Sequence, residues 1–243
     1  MSRRSSTTFA LSRCNTFTNR REAAVGQEID LLVHYPRTRR NVDERGQVKT
    51  ADDQRIARQF GREFFDGDRR HGYGGFNYNP RFWQPVIPTL RDWFGLTGSS
   101  SLLDVGCAKG FMLHDLALLI PGITVQGIDI SAYAIEHAVE DVRPHVQVAD
   151  AKALPFPGKS FDVVIAINTI HNLARDECAL ALREIARVAS KGAFVTVDAY
   201  RSEDERERMM AWNLTAQTIM HVDEWKVFFA QNGYDGDYYW FIP

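Results

Sequence analysis

The chain has 243 residues and a formal net charge of -2, with 44% of its residues hydrophobic. That length suits one substantial α/β domain with extensions, and the balanced charge argues against a general polyanion binder. Three widely spaced cysteines (Cys14, Cys107, Cys178) form neither a disulfide framework nor a metal-ligand pattern, and no apolar run nears the roughly 20 residues of a membrane span.

Residues 1–25 begin with Arg3, Arg4, Arg13, Arg20 and Arg21 among many Ser and Thr. The expectation is a disordered leader, with a targeting segment as the alternative. Residues 26–70 read as helical with polar breaks. Thr50 is placed to cap a helix over 51–65 that carries Ile56, Phe60, Phe64 and Phe65 on one face. A glycine-, arginine- and aromatic-rich loop over 66–83 follows, then a helix over 85–94 and a turn at 97–101. From there the pattern alternates. Strands are expected at 101–105, 124–129, 146–148, 161–167 and 193–198, with helices at 111–119, 133–142 and 178–189. Such alternation with Val/Ile-rich strands indicates a doubly wound, mostly parallel Rossmann-like α/β sheet. A charged helix near 203–218, a helix at 224–231 and a last strand at 238–242 complete the chain.

Sheets of this kind hold ligands at the carboxyl ends of their strands. The first strand runs into Gly106-Cys-Ala108-Lys-Gly110, where the two glycines admit close backbone approach. This is not the Gly-x-Gly-x-x-Gly spacing that sets a pyrophosphate on a helix N-terminus. Asp129, about twenty residues on, ends the second strand, where an acid can accept from both hydroxyls of a ribose. Asp150, just after the third strand, can accept from the exocyclic amine of adenine, with Ala151 beside the base.

Four segments in order, Leu102-Leu-Asp-Val-Gly-Cys-Ala-Lys-Gly110, Gly127-Ile-Asp-Ile-Ser131, Asp150-Ala with Leu154-Pro-Phe-Pro157, and Ser160-Phe-Asp-Val-Val164, resemble the class I S-adenosylmethionine-dependent methyltransferases of the type 11 kind. The resemblance covers about 101–200 and departs from the family at Ala108, where glycine is commoner. It implies S-adenosyl-L-methionine as cofactor. Asp104 and Gly106 would lie by its methionine portion, Asp129 by the ribose, and Asp150 with Ala151 by the adenine. Cys107, Ala108, Gly110, Ile130 and Asn168 are assigned to the same site. It also implies that 99–243 form the methyltransferase domain, that 26–98 form a cap over the substrate, and that the sheet ends in an abbreviated antiparallel edge.

On the acceptor side, Asn168 and His171 follow the fourth strand. His171 reads equally as a general base toward a hydroxyl or as a structural residue capping the next helix. Asn172 would also face the transferable methyl. Arg69, Arg70 and Arg81 of the 66–83 loop suit a phosphate or carboxylate. Tyr73, Tyr78, Tyr200, Arg201 and Trp212 complete the expected acceptor site. The leading expectation is an enzyme that methylates an oxygen of a small anionic metabolite in the cytoplasm, without metal, nucleic acid or membrane; the oligomeric state is left open. Alternatives are N-methylation of a small amine, a nucleic-acid methyltransferase, a nicotinamide oxidoreductase and a non-catalytic scaffold.

Overall fold

A computed structural model describes residues 26–37, 41–74 and 77–243; the leader lies outside them. Ahead of the sheet come α1 (Val42–Val48), α2 (Ala51–Ala57), α3 (Arg62–Asp66), α4 (Pro80–Trp83) and α5 (Ile87–Phe94). Thr50 and Asp53 form a capping box that starts α2, as expected from Thr50. The single helix expected over 51–65 is broken, because Phe60 takes a left-handed φ of 49° and Gly61 restarts the chain as α3. Residues 26–37 form turns and a β-bridge rather than helix.

The sheet is built from β1 (Ser101–Val105), β2 (Thr124–Asp129), β3 (Val146–Val148), β4 (Phe161–Ile167) and β5 (Ala189–Tyr200). Between them lie α6 (Phe111–Leu119), α7 (Ala132–Glu136) and α8 (Arg175–Val188). The order β3-β2-β1-β4-β5 reverses between β1 and β4, which opens a crevice at their carboxyl ends. Both faces are covered. On one, Ile185 of α8 and Trp225 of α10 (Val222–Gln231) pack against the sheet; on the other, Leu90 of α5 and Leu116 of α6 do so. Strands buried on both faces must be apolar throughout, as Val163-Val-Ile-Ala166 is.

After β5 the chain passes through α9 (Glu203–Trp212), β6 (Met220–His221) and α10 into β7 (Asp237–Phe241). Here the structure corrects the sequence reading. β7 pairs with β5 in parallel, from Phe194↔Asp237 to Asp198↔Phe241, and every strand pairing among the described residues is parallel. The cause is the connection. A tight hairpin would turn the chain back antiparallel, whereas α10 carries it across one face and returns it in the same direction. The edge of β7 is then taken by residues 27–29, with Ile29 N–H donating to Tyr238 O and Tyr238 N–H to Gln27 O, both at 2.9 Å. Buried Asp237 fastens this corner, accepting from Gln27 N (3.0 Å) and Trp93 Nε1 (2.7 Å).

Candidate functional site

A cavity of about 670 Å³ lies at the switch point between β1 and β4. Asp104, Gly106, Cys107, Ala108, Asn168 and Arg201, all expected site residues, line it. The turn after β1 is shaped by backbone. Gly106, Ala108 and Gly110 have φ of 86°, 49° and 76°. A Cβ on Gly106 would lie 2.1 Å from Thr169 Oγ1, so that glycine is required by space as well as by φ. Ala108 sits in the same left-handed region at some strain, which accounts physically for a glycine preference there. Asp129 holds the turn from the next strand: its Oδ2 accepts from Ala108 N and its Oδ1 from Ser131 N, each at 2.8 Å.

Asp104 is buried. Desolvation, with the nearby charge of Asp129, pushes its carboxyl up to about 8. Desolvation also raises the carboxyl of Asp129, against the three backbone amides that favour its charged form. Asp129, Ile130, Asp150 and Ala151 stand outside the cavity lining, along the neighbouring ends of β2 and β3. Ile130 is 57% exposed there, and the Asp150 side chain is 41% exposed, with its Oδ1 accepting from Lys152 N at 2.9 Å.

On the other wall, Asn168 adopts a φ of 52°. Its backbone N–H donates to Thr196 Oγ1 (2.9 Å), and that hydroxyl donates to Asn168 Oδ1 (2.9 Å). Thr196, which the sequence reading missed, therefore sets the amide so that its N–H₂ end is free of this pair. His171 does not cap the next helix, since α8 begins after Ala174 with no side-chain cap, but the geometry favours a structural role over that of a base. Its ring is buried, Nδ1 accepts from Asp198 N at 2.9 Å, and desolvation pushes its pKa down to about 3. A ring so held stays neutral and is a poor proton acceptor near neutrality. Asn172 donates to Asn168 O at 3.2 Å, while its Oδ1 has no partner among the described residues.

The loop arginines make their contacts within the cap, and Arg70 reaches out of the loop to α2. Arg69 donates to Tyr73 O, Arg70 pairs with buried Asp53 at 3.1 Å, and Arg81 lies 4.7 Å above the Phe82 ring. None of the three lines the cavity. Tyr73 and Trp212 stack at 5.7 Å, and the Tyr73 hydroxyl accepts from Leu214 N at 2.7 Å, so both join the cap to the segment after β5. Tyr78 donates to buried Asp115 at 2.7 Å, and Tyr200 packs edge-on against His221. Among the described residues, the cations that reach the cavity are Arg37, Lys109 and Arg201. Arg37 pairs with Asp30, Lys109 with Asp66 (2.6 Å) and Arg201 with Glu28 (3.5 Å). Aromatic rings, among them Tyr35, Phe64, Phe65, Trp83 and Phe241, supply much of the remaining wall. Nothing in the pattern of residues 26–37 signalled that they roof this cavity.

Residues 103–197 match the methyltransferase domain family. The chain is 30% identical over 177 residues to 2-methyl-6-phytyl-1,4-hydroquinone methyltransferase of Synechocystis sp., covering 67% of this chain and 54% of that one. It is 27% identical over 182 residues to 27-O-demethylrifamycin SV methyltransferase of Amycolatopsis mediterranei, covering 65% and 66%. The chain thus spans between about half and two thirds of the length of these relatives. Among solved structures it is similar to a chain of the complex between the Haloferax volcanii Trm112 methyltransferase activator and a methyltransferase. That likeness has a TM-score of 0.50 at 19% identity over 81% of this chain and 77% of that one, and it concerns the fold.

Proposed function

We propose that this chain, which belongs to the class I S-adenosylmethionine-dependent methyltransferases, transfers a methyl group to an oxygen of a small-molecule acceptor. The observation that carries this reading is the cavity at the switch point, with Asp104 and Gly106 on one wall and Asn168 on the other. The two relatives named above are methyltransferases whose names point to small-molecule acceptors. The residues fit the cofactor. Gly106, with no Cβ to strike Thr169, lets the turn backbone take its left-handed course along the cavity, and a buried carboxyl held near 8 ionises readily once a cationic group lies beside it. Bound S-adenosylmethionine supplies an electrophilic sulfonium methyl. Asp104 and the Gly106–Gly110 turn would hold its methionine portion, Asp129 and Ile130 its ribose, and Asp150 with Ala151 its adenine.

The protein's part in the transfer is alignment and exclusion of water, for which the aromatic cap is suited. His171 braces the β4 end through Asp198 N rather than moving a proton. A hydroxyl acceptor would pass its proton to a cavity carboxylate such as Asp30 or Glu205. An acceptor oxygen already ionised near neutrality, as on a phosphate monoester, needs no base. An anionic group on the acceptor would meet Arg37 and Arg201, in place of the loop arginines. Residues 26–98 together with the segment after β5 form the cap.

The test is calorimetry with S-adenosylhomocysteine and NAD, followed by labelled methyl transfer to a library of phosphorylated and carboxylated metabolites. Binding of S-adenosylhomocysteine alone and label on oxygen are expected. Binding of NAD alone would overturn the reading, and label found only on amines would move it to nitrogen.

A further inference from the structure

We infer that Lys109 and Asp66 are positioning residues that fasten the acceptor wall to the cofactor turn, so that cofactor binding completes the acceptor site. This rests on the methyltransferase reading and adds an order of assembly to it.

Lys109 lies inside the turn, between Ala108 and Gly110, and is buried. Its ammonium donates to both carboxylate oxygens of Asp66, at 2.6 and 2.7 Å. Asp66 is the last residue of α3, the short helix whose Phe64 and Phe65 line the cavity. A second tie reaches the same carboxylate from the ribose side, where the Tyr133 hydroxyl donates to Asp66 Oδ2 at 2.6 Å. Burial raises the Asp66 carboxyl, but Lys109 and Tyr133 outweigh it and hold the group charged. A third tie joins Ser131 Oγ to Phe60 O, at the left-handed break between α2 and α3. The chain thus enters α3 through the break at Phe60-Gly61. The three ties of α3 all end on the two segments that Asp129 also grips, the turn at Ala108 and the α7 start at Ser131.

Such an arrangement couples two sites through one element. Whatever orders the turn and the 129–133 segment also fixes Phe64 and Phe65 against the acceptor. A helix of five residues has little stability of its own, so its order depends on these ties. A part-buried ion pair whose ammonium is buried and whose carboxylate has two donors favours one arrangement, which suits a positioning role better than a stabilising one.

The test is hydrogen exchange of the full chain with and without S-adenosylhomocysteine, read over residues 62–66. In the wild type the probe is expected to slow exchange there by about tenfold, a typical coupling between sites. Asp66→Asn and Tyr133→Phe should lose most of this slowing while the Kd for the probe moves by less than about threefold, below the roughly fivefold at which such couplings begin. Asp66→Asn leaves a buried ammonium without its carboxylate, so the double variant Lys109→Met with Asp66→Leu removes both charges and should fold and show the same loss of slowing. Asp66→Glu should restore part of it. Undiminished slowing in Tyr133→Phe and in the double variant overturns the proposal. So does a probe affinity that falls as steeply as the slowing in Asp66→Asn, which would make the pair part of the cofactor site itself. Absence of binding heat with the wild type overturns the methyltransferase reading and this proposal together, and is told apart by that missing heat.

Discussion

Between Ser101 and Tyr200 the groups around the cavity are placed by local backbone conformation and by contacts between strand ends. Gly106, Ala108 and Gly110 turn the chain, and Asp129 grips that turn from the adjacent strand. In the cap, the contacts that join it to the segment after β5 cross a long span of chain. Lys49 Nζ donates to the carbonyls of Met210, Ala211 and Asn213 at 2.6, 3.0 and 2.7 Å, and Tyr73 receives the amide of Leu214. The first kind of site depends on a few backbone contacts that no other group can replace. The second is a net of side-chain contacts, in which the loss of one member leaves the others holding. Substitutions should therefore cut deeply in the first region and shallowly in the second.

The largest effect is expected from Asp129→Ala. It strips the acceptor from the amides of Ala108 and Ser131, and buried donors left unpaired cost about 1–3 kcal/mol each. Affinity for S-adenosylhomocysteine should fall about tenfold or more, since 1.4 kcal/mol is a factor of ten. Calorimetry on the purified variant checks it. An unchanged Kd would mean that the turn does not need its grip, and the contrast between the two regions would go with it.

A middle-sized effect concerns Asp104 and pH. Its folded pKa, about 8, stands above the ordinary carboxylate value, so the folded chain keeps a proton that the unfolded chain has lost. Its contribution to stability must then fall as pH rises through that interval. His171, pushed down to about 3, acts with the opposite sign, but only below its ordinary value near 6.5. From about pH 6.5 to 8, Asp104 of this pair acts alone, at up to about 1.4 kcal/mol per pH unit, or about 2 kcal/mol over the window. Urea melts of wild type and Asp104→Asn at both ends should show the slope in the first and its loss in the second. Equal slopes would mean that Asp104 is ionised in the free protein.

The same contrast decides what was legible in the sequence. β1, β2, β3 and β4 fall on their expected residues, and for β1 and β4 the reason is that strands buried on both faces must be largely apolar. The order of glycines and acids locates the cavity's floor, because those residues act within short stretches. The direction of β7 was not legible: Tyr238–Trp240 pairs equally well either way, and the decision rests on how α10 packs. Nor was the use of Lys109, whose partner Asp66 lies 43 residues away. His171 was legible as a position and not as a role, since burial and the Asp198 amide decide between base and brace.

The smallest effect expected is that of Arg70→Ala, and it bears on the loop arginines directly. Arg70 contacts Asp53 through Nε at 3.1 Å and Nη2 at 3.3 Å, but its side chain is 52% exposed. Ion pairs so wetted are worth under about 1 kcal/mol. Asp53 would keep the amide and hydroxyl of Thr50, at 2.9 and 2.7 Å, and His71 Nε2 at 3.2 Å, so its buried carboxylate is not orphaned. Stability should therefore drop by less than about 1 kcal/mol, and neither the Kd for S-adenosylhomocysteine nor the KM of an acceptor found in the library screen should move. Arg201→Ala, on the cavity wall, is the matched control, and should raise the KM of an anionic acceptor while leaving an uncharged one alone. The reverse outcome, in which Arg70→Ala raises KM for anionic acceptors and Arg201→Ala does not, would return the 66–83 loop to the acceptor site. The cap would then be a region where single side chains also bind substrate, and the contrast drawn from its net of contacts would fail.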